Sequence, residues 1–485
     1  VKPELVIGFV APLGVNLTEI EQITSDLLVQ FGYQSEVIRL SNFLKHISGL
    51  STVLDESTPG SRFDSYMTAG NEARKKFGCG DFLAAMAINE IARKRVNRKS
   101  DRNEPFPGRA YLLHSHKHHE EVRLLRETYR QGFFLIGVSS SKENRLKHLI
   151  KRKGVDEAEA QRLILRDENE EDKDGQHTRE TFHLSDAFIN GDSPDLTKDL
   201  SRIFDLLFGY PYATPTKDEY AMFMAFSASL RSADLSRQVG AFIMSQYGEC
   251  LATGANDVPC YPGGLYWSSD PKENRDHNRG FDSNEAARNE MVIQIMRRLV
   301  GGNVSDEELL ARGRLELANT GIFDITEYGR AVHAEMEALL SCARIGAPTR
   351  GAILYSTTFP CHNCAKHVVA AGIRRVVFVE PYPKSRALQL HEDSIIFVET
   401  PTVSTENKVS FEPFVGVGPR KYIDLFSMSL GGGGPLRRKE NGKNVVWARA
   451  GAEIRFPMLP VSYIDNEKIR IQGLLNQTEG QNGDL

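Results

Sequence analysis

The chain has 485 residues, 40% hydrophobic and 26% charged, which is enough for two or three domains that fold on their own buried cores. With 60 basic against 64 acidic side chains, the formal net charge of −4 argues against a general nucleic-acid binder, which carries a basic excess. Six cysteines, of which only Cys361 and Cys364 lie close together, argue against a disulfide framework and for a reducing cytosol. The opening VKPELVIGFVAPLGV lacks the charged n-region and cleavage site of a signal peptide and reads as a first core strand. No apolar run approaches the roughly 18 residues of a membrane span.

Residues 1–205 alternate between strand and helix patterns. Leu5–Ala11 suits a buried parallel strand, Thr18–Gln30 a helix and Ser35–Leu40 a strand. Asp81–Arg98 and Glu120–Tyr129 have helical spacing, and Arg109–His114 and Gly132–Val138 are further buried strands. That alternation predicts a three-layer α/β sheet. The charged stretch 142–180 reads as a solvated helix followed by a loop. Ala187–Asn190 and the helix Leu196–Phe208 close the domain at 208, and 209–219 reads as a linker.

A second pattern opens at Tyr220, with a helix over Ala221–Leu230. Strands Val239–Ser245 and Glu249–Gly254 follow, separated by a compact hairpin turn. The polar segment 258–330 carries a helix near Glu285–Leu299. Helices over 333–345 and 361–371 are each stopped by a glycine and alternate with strands over 352–358 and 374–379. The pattern ends near 400, leaving 401–485 as a C-terminal extension with no legible role.

The sharpest chemical feature is His333-Ala334-Glu335 followed by Pro360-Cys361-His362-Asn363-Cys364. One imidazole and two thiolates make a zinc site with a fourth position left open, the arrangement of a catalytic rather than a structural metal. Both ligand groups fall at helix starts, whose positive ends favour thiolates. Glu335, in the first turn beside His333, can lean over the open position and act as general base and then general acid. Cys342 falls on the apolar side of its helix and reads as core. Cys260 and His277 mark a possible second zinc site, and HSHKHH at 114–119 reads as a polar loop beside a strand.

HAE with PCHNC resembles the signature of the zinc-dependent cytidine/deoxycytidylate deaminase family. SLRSADLSRQVGAFIM, ECLATGAND and CAKHVVAAGIRRVVFVEPY are similar to the deoxycytidylate branch, so the resemblance covers about 220–400. It implies Zn²⁺ held by His333, Cys361 and Cys364, hydrolytic attack at C4 of cytosine, Glu335 shuttling protons, and loss of ammonia. It further implies that Asn256 contacts the sugar, that the Ala334 and Thr358 backbones border the base, and that the protein is a homo-oligomer.

The first domain resembles a P-loop nucleotide kinase in outline, through FFLIGVSSSKENRLKHLIKRKG and HLSDAFIN. Its phosphate loop is degenerate. Against G-x-x-x-x-G-K-[ST], Phe9 stands at the first Gly, Gly14 at the second, Val15 at the Lys and Asn16 at the hydroxyl residue. Starting the match at Gly8 does worse. Without the Lys, phosphoryl transfer is not expected. A regulatory nucleotide or small-RNA sensor and an assembly scaffold remain as readings of this domain.

The expected architecture is α/β: a P-loop kinase-like three-layer domain over 1–208, a linker at 209–219, a cytidine-deaminase-like α/β/α domain over 220–400, and the extension 401–485. This order resembles the bacterial anti-phage dCTP deaminases. The resemblance implies a cytoplasmic enzyme converting dCTP, dCMP or both to deoxyuridine nucleotides. The alternatives are an RNA or single-stranded DNA deaminase, or a nucleotide- or RNA-sensing module with structural zinc.

Overall fold

Leu5–Val10 forms the first strand, β1, and all six of its residues are buried, as a run without polar alternation requires of a strand covered on both faces. The computed structural model describes residues 2–99, 104–169, 178–318, 320–382, 384–398, 407–456 and 460–480. Positions 170–177, within the stretch expected to end in a loop, and the last five positions lie outside the described residues. The chain divides into two compact units, Val1–Glu219 together with Pro413–Leu485, and Tyr220–Val398 together with Ser404–Glu412.

In the first unit β1 is followed by α1 (Leu17–Gln30), β2 (Gln34–Arg39), α2 (Pro59–Phe77), α3 (Phe82–Lys99), β3 (Arg109–His114) and α4 (His119–Tyr129). Then come β4 (Phe133–Ser139), α5 (Lys142–Lys151), α6 (Glu157–Asn169), α7 (Thr178–Phe182), β5 (Ala187–Asn190) and α8 (Leu196–Leu207). The strands lie in the order β5-β4-β1-β3-β2, all parallel. Alternate β1 residues feed two cores. Ile7 and Phe9 pack with α1 and α8, and Val6 and Val10 with α3 and α4, which makes the three layers. The segment expected to be solvated is only partly so: Leu163 and Ile164 of α6 pack with Leu149 of α5 and Met67 of α2.

Gly8 lies inside β1 rather than in a turn, and the His116 imidazole fills the space over it, with Nε2 2.8 Å from where a Cβ would stand. Gly14, at φ +93, makes the turn between β1 and α1. The Leu13 amide in that turn donates to the Asp167 carboxylate at 2.7 Å, and Lys117 Nζ donates to the same carboxylate at 2.8 Å. A side chain of α6 therefore takes up the Leu13 amide and the Lys117 ammonium. Within HSHKHH, His114 pairs with Glu21, and the buried His116 faces Glu121 at 3.4 Å.

The second unit starts within α9 (Lys217–Ser229) and continues through β6 (Gly240–Met244), β7 (Cys250–Ala255), α10 (Asp276–Arg279), α11 (Ser283–Val300) and α12 (Asp306–Glu316). It ends with α13 (Ala334–Ile345), β8 (Ile353–Thr358), α14 (His362–Ala370), β9 (Arg375–Glu380), α15 (Ala387–Leu390), β10 (Ile395–Phe397) and β11 (Val409–Pro413). The sheet order is β10-β11-β9-β8-β6-β7, with β6 antiparallel to β7 and β8, and β8 parallel to β9. Paired positions put Gly240 and Gly254 on opposite faces. Helix α9 crosses at Gly240 and α13 at Gly254, which gives the expected α/β/α layering.

At Gly254 a Cβ would stand 2.1 Å from the Ala334 carbonyl oxygen and 2.5 Å from the Ala338 amide. Both are backbone atoms, so nothing flexible can yield. Gly254→Ala is expected to cost about 1–3 kcal/mol, a fall in Tm of several degrees, because the start of α13 must move. Thermal melting together with the metal content of the purified variant checks this, since His333 and Glu335 flank Ala334.

The C-terminal stretch corrects the expectation of an appended extension. It contains β12 (Gly416–Val417), α16 (Pro419–Phe426), a small hairpin of β13 (Lys439–Glu440) and β14 (Lys443–Asn444), and α17 (Pro460–Gly480). Strand β12 joins the first sheet antiparallel to β5, and Leu425 and Phe456 enter that unit's core. Helix α17 packs on α3 and α4 through Tyr463, Ile464 and Leu474. Its Glu467 shares the fully buried Arg95 with Glu4, while Tyr463 donates to Glu4 at 2.6 Å. FVGVGPRKYIDLF thus completes the first unit's core. No helix among the described residues is long and apolar enough to cross a membrane.

Candidate metal centre and active site

Helices α13 and α14 begin side by side on one face of the second sheet, with Ala334, Ala338, Ala365 and Val368 buried against it. Small residues at these positions let both helices sit close to the strands. His333 is the N-cap of α13 and Cys361 the N-cap of α14, where the Cys364 amide donates to Cys361 Sγ at 3.4 Å. His333 Nδ1 lies 3.3 Å from Cys361 Sγ and 3.4 Å from Cys364 Sγ.

A tetrahedral zinc with Zn–S of about 2.3 Å and Zn–N of about 2.0 Å sets nitrogen and sulfur ligand atoms roughly 3.5 Å apart and two sulfurs roughly 3.8 Å apart. The separations and the donor set therefore fit that metal. His333, Cys361 and Cys364 form the one group of three or more His, Cys, Asp or Glu among the described residues placed to hold a metal ion. Cys260 and His277 come together with no such group. His277 instead faces Glu273 at 3.2 Å, and the Cys260 thiol donates to the Tyr261 carbonyl. Cys342 is buried in the core.

Charges converge here. The Cys361 thiol is pushed down to about 4, first by a hydrogen bond from Cys364 and then by His333. Cys364 moves up, because it shares its proton with Cys361 and is buried. The hydrogen bond to Cys361 pushes His333 up to about 9. These are the protons that metal binding displaces. Burial and the adjacent Cys361 charge raise the Glu335 carboxyl above the usual carboxylate range. Glu335 Oε2 lies 3.4 Å from Cys364 Sγ, and Oε1 accepts from the Ser356 hydroxyl at 3.3 Å.

The group opens into a cavity of about 500 Å³, which His333, Glu335 and Cys361 line together with Asn256, Ala334 and Thr358. The Asn256 side chain is tied to backbone: its oxygen accepts from the Val239 amide at 2.6 Å and its nitrogen donates to the Arg237 carbonyl at 2.8 Å. It thereby holds the loop before β6 as well as bordering the cavity. Thr358 donates to Glu380 at 3.3 Å.

Arg237 and Lys384 line the cavity. Arg231 does not. Its guanidinium stacks 3.6 Å from the centre of the Trp267 ring. The segment 258–330 supplies a wall that sequence reasoning missed, including Asp276, Asn284, Arg288 and Arg330. Its strong local charge was the available signal.

Residues 215–380 match the family model described as "Cytidine and deoxycytidylate deaminase zinc-binding region". ComE operon protein 2 of Bacillus subtilis (strain 168) is 38% identical over 89 residues, covering 18% of this chain and 47% of that protein. The deoxycytidylate deaminase of Enterobacteria phage T2 is 42% identical over 55 residues, covering 11% and 29%. The chain spans about half or less of the length of these two relatives. Among solved structures, the dCMP deaminase of cyanophage S-TIM5 in apo form is 19% identical at a TM-score of 0.23, covering 42% of this chain and 100% of that one. The HAE and PCHNC motifs both lie within the matched segment 215–380.

Proposed function

We propose that the second unit hydrolytically deaminates deoxycytidine nucleotides, dCMP and dCTP, to deoxyuridine nucleotides. The observation that carries this reading is the His333, Cys361 and Cys364 group on the wall of an open cavity, with the buried Glu335 carboxylate against it. Zinc held by those three residues supplies a Lewis acid that makes water nucleophilic near neutral pH. Glu335 takes a proton from the attacking water as its oxygen bonds to C4, and passes it to the amino nitrogen as the C4–N bond breaks and ammonia leaves. The Ala334 and Thr358 backbones border the base, and Asn256 fixes the loop that faces the sugar. Arg237, Arg288, Arg330 and Lys384 along the cavity favour an anionic nucleotide over a nucleoside.

The wider reading is a cytoplasmic homo-oligomer that depletes dCTP against phage, with a regulatory nucleotide or small RNA acting on the first unit. The order of the two units and their resemblance to anti-phage deaminases support it. Ammonia release measured on dCMP, dCTP, cytidine and a cytosine-containing oligonucleotide tests the substrate class. Turnover is expected on the deoxynucleotides. Activity confined to the oligonucleotide would overturn the proposal.

A further inference from the structure

One polar side chain beside the metal group is not part of the HAE or PCxxC motifs. Ser356 lies on β8, facing the same way as Leu354 and Thr358, and is fully buried at 0% exposure. Leu354, two residues earlier, belongs to the hydrophobic core. A strand in the middle of a sheet covered on both faces ordinarily carries apolar residues. A hydroxyl there must find partners.

The partners it finds have a direction. Ser356 Oγ accepts from the Thr358 amide at 3.4 Å, which leaves its proton to be donated, and the recipient is Glu335 Oε1 at 3.3 Å. The other carboxylate oxygen, Oε2, lies beside Cys364 Sγ. The carboxylate is therefore held between strand β8 and helix α14. A Glu in the first turn of a helix has three side-chain torsions, and a proton carrier works only when those torsions are held.

We propose that Ser356 is a positioning residue that fixes the Glu335 carboxylate for proton transfer. This inference rests on the deaminase reading above. It predicts that the Ser356 hydroxyl contributes to turnover and little to substrate binding, because it acts through Glu335 and does not itself line the cavity.

Ser356→Thr and Ser356→Val make the informative pair. The two side chains have nearly the same shape and so share any packing cost in this filled position, and they differ in the hydroxyl. With dCMP as substrate, Ser356→Thr is expected to turn over about 10-fold faster than Ser356→Val, the worth of one hydrogen bond in a transition state. KM should agree between them within about twofold and zinc content should be equal, as for an interaction made only during the chemical step. Equal kcat values for the two variants, or a difference carried by KM alone, overturn the assignment while the deaminase reading stands. A wild-type protein with bound zinc that releases no ammonia from dCMP or dCTP overturns both.

Discussion

Glu335→Gln is expected to lower kcat for deoxycytidine nucleotides by about 10²–10⁴-fold, the range for losing a positioned proton carrier. The side chain is 4% exposed, between Ser356 Oγ and Cys364 Sγ, and Gln fills the same space. The fold and the metal group should therefore survive. Zinc measured by atomic absorption should stay at the wild-type level while ammonia release falls to background. Glu335→Ala should behave alike, with a small added cost from the space it leaves. Undiminished turnover in either variant would falsify the mechanism. Loss of zinc would instead place Glu335 among the groups that hold the metal.

Metal removal has the second large effect. A chelator is expected to abolish turnover, and stoichiometric zinc should restore it. Far-UV circular dichroism should change little, because the second sheet has its own buried core. Ile243, Leu354, Val376 and Phe411 pack there with α13 and α14 without help from the metal group. Some loss of Tm follows, since a ligand that binds only the folded state stabilises it by mass action. This separates a catalytic from a purely structural metal. A structural site would lose its helical signal on chelation, and no substrate would yield ammonia at any zinc level.

The candidate metal group was legible because its residue types are rare and their positions local. Cys361 and Cys364 share one helix start, and His333 and Glu335 another. The buried strands were legible for a related reason: LVIGFV and RAYLLH are runs with no polar alternation, and a chain can hide such a run only inside a covered sheet. Helix α17 was not legible. It docks through Glu467 on Arg95 as well as through Tyr463 and Ile464, and a buried ion pair reads as surface in a sequence. The strand β12 is two residues long, too short for any periodicity.

The turn after β1 shows a different limit. The motif comparison found the missing Lys at Val15. It could not show that Asp167, remote in sequence, accepts from the Leu13 amide and from Lys117. Likewise Ser356 reads as an ordinary strand residue until β8 and α13 are brought together.

Length, charge and sparse cysteines at the outset argued against a disulfide scaffold and a general nucleic-acid binder, and the motif residues pointed to zinc chemistry and to the family whose model matches residues 215–380. Those are properties of composition and of neighbours along the chain, and they need no coordinates. Tertiary structure alone decided which remote groups meet: Glu467 with Arg95, Asp167 with the Leu13 turn, and Ser356 with Glu335. A hydrogen bond or ion pair between distant segments leaves no spacing in the sequence, because its partners are chosen by the packing of whole helices and strands.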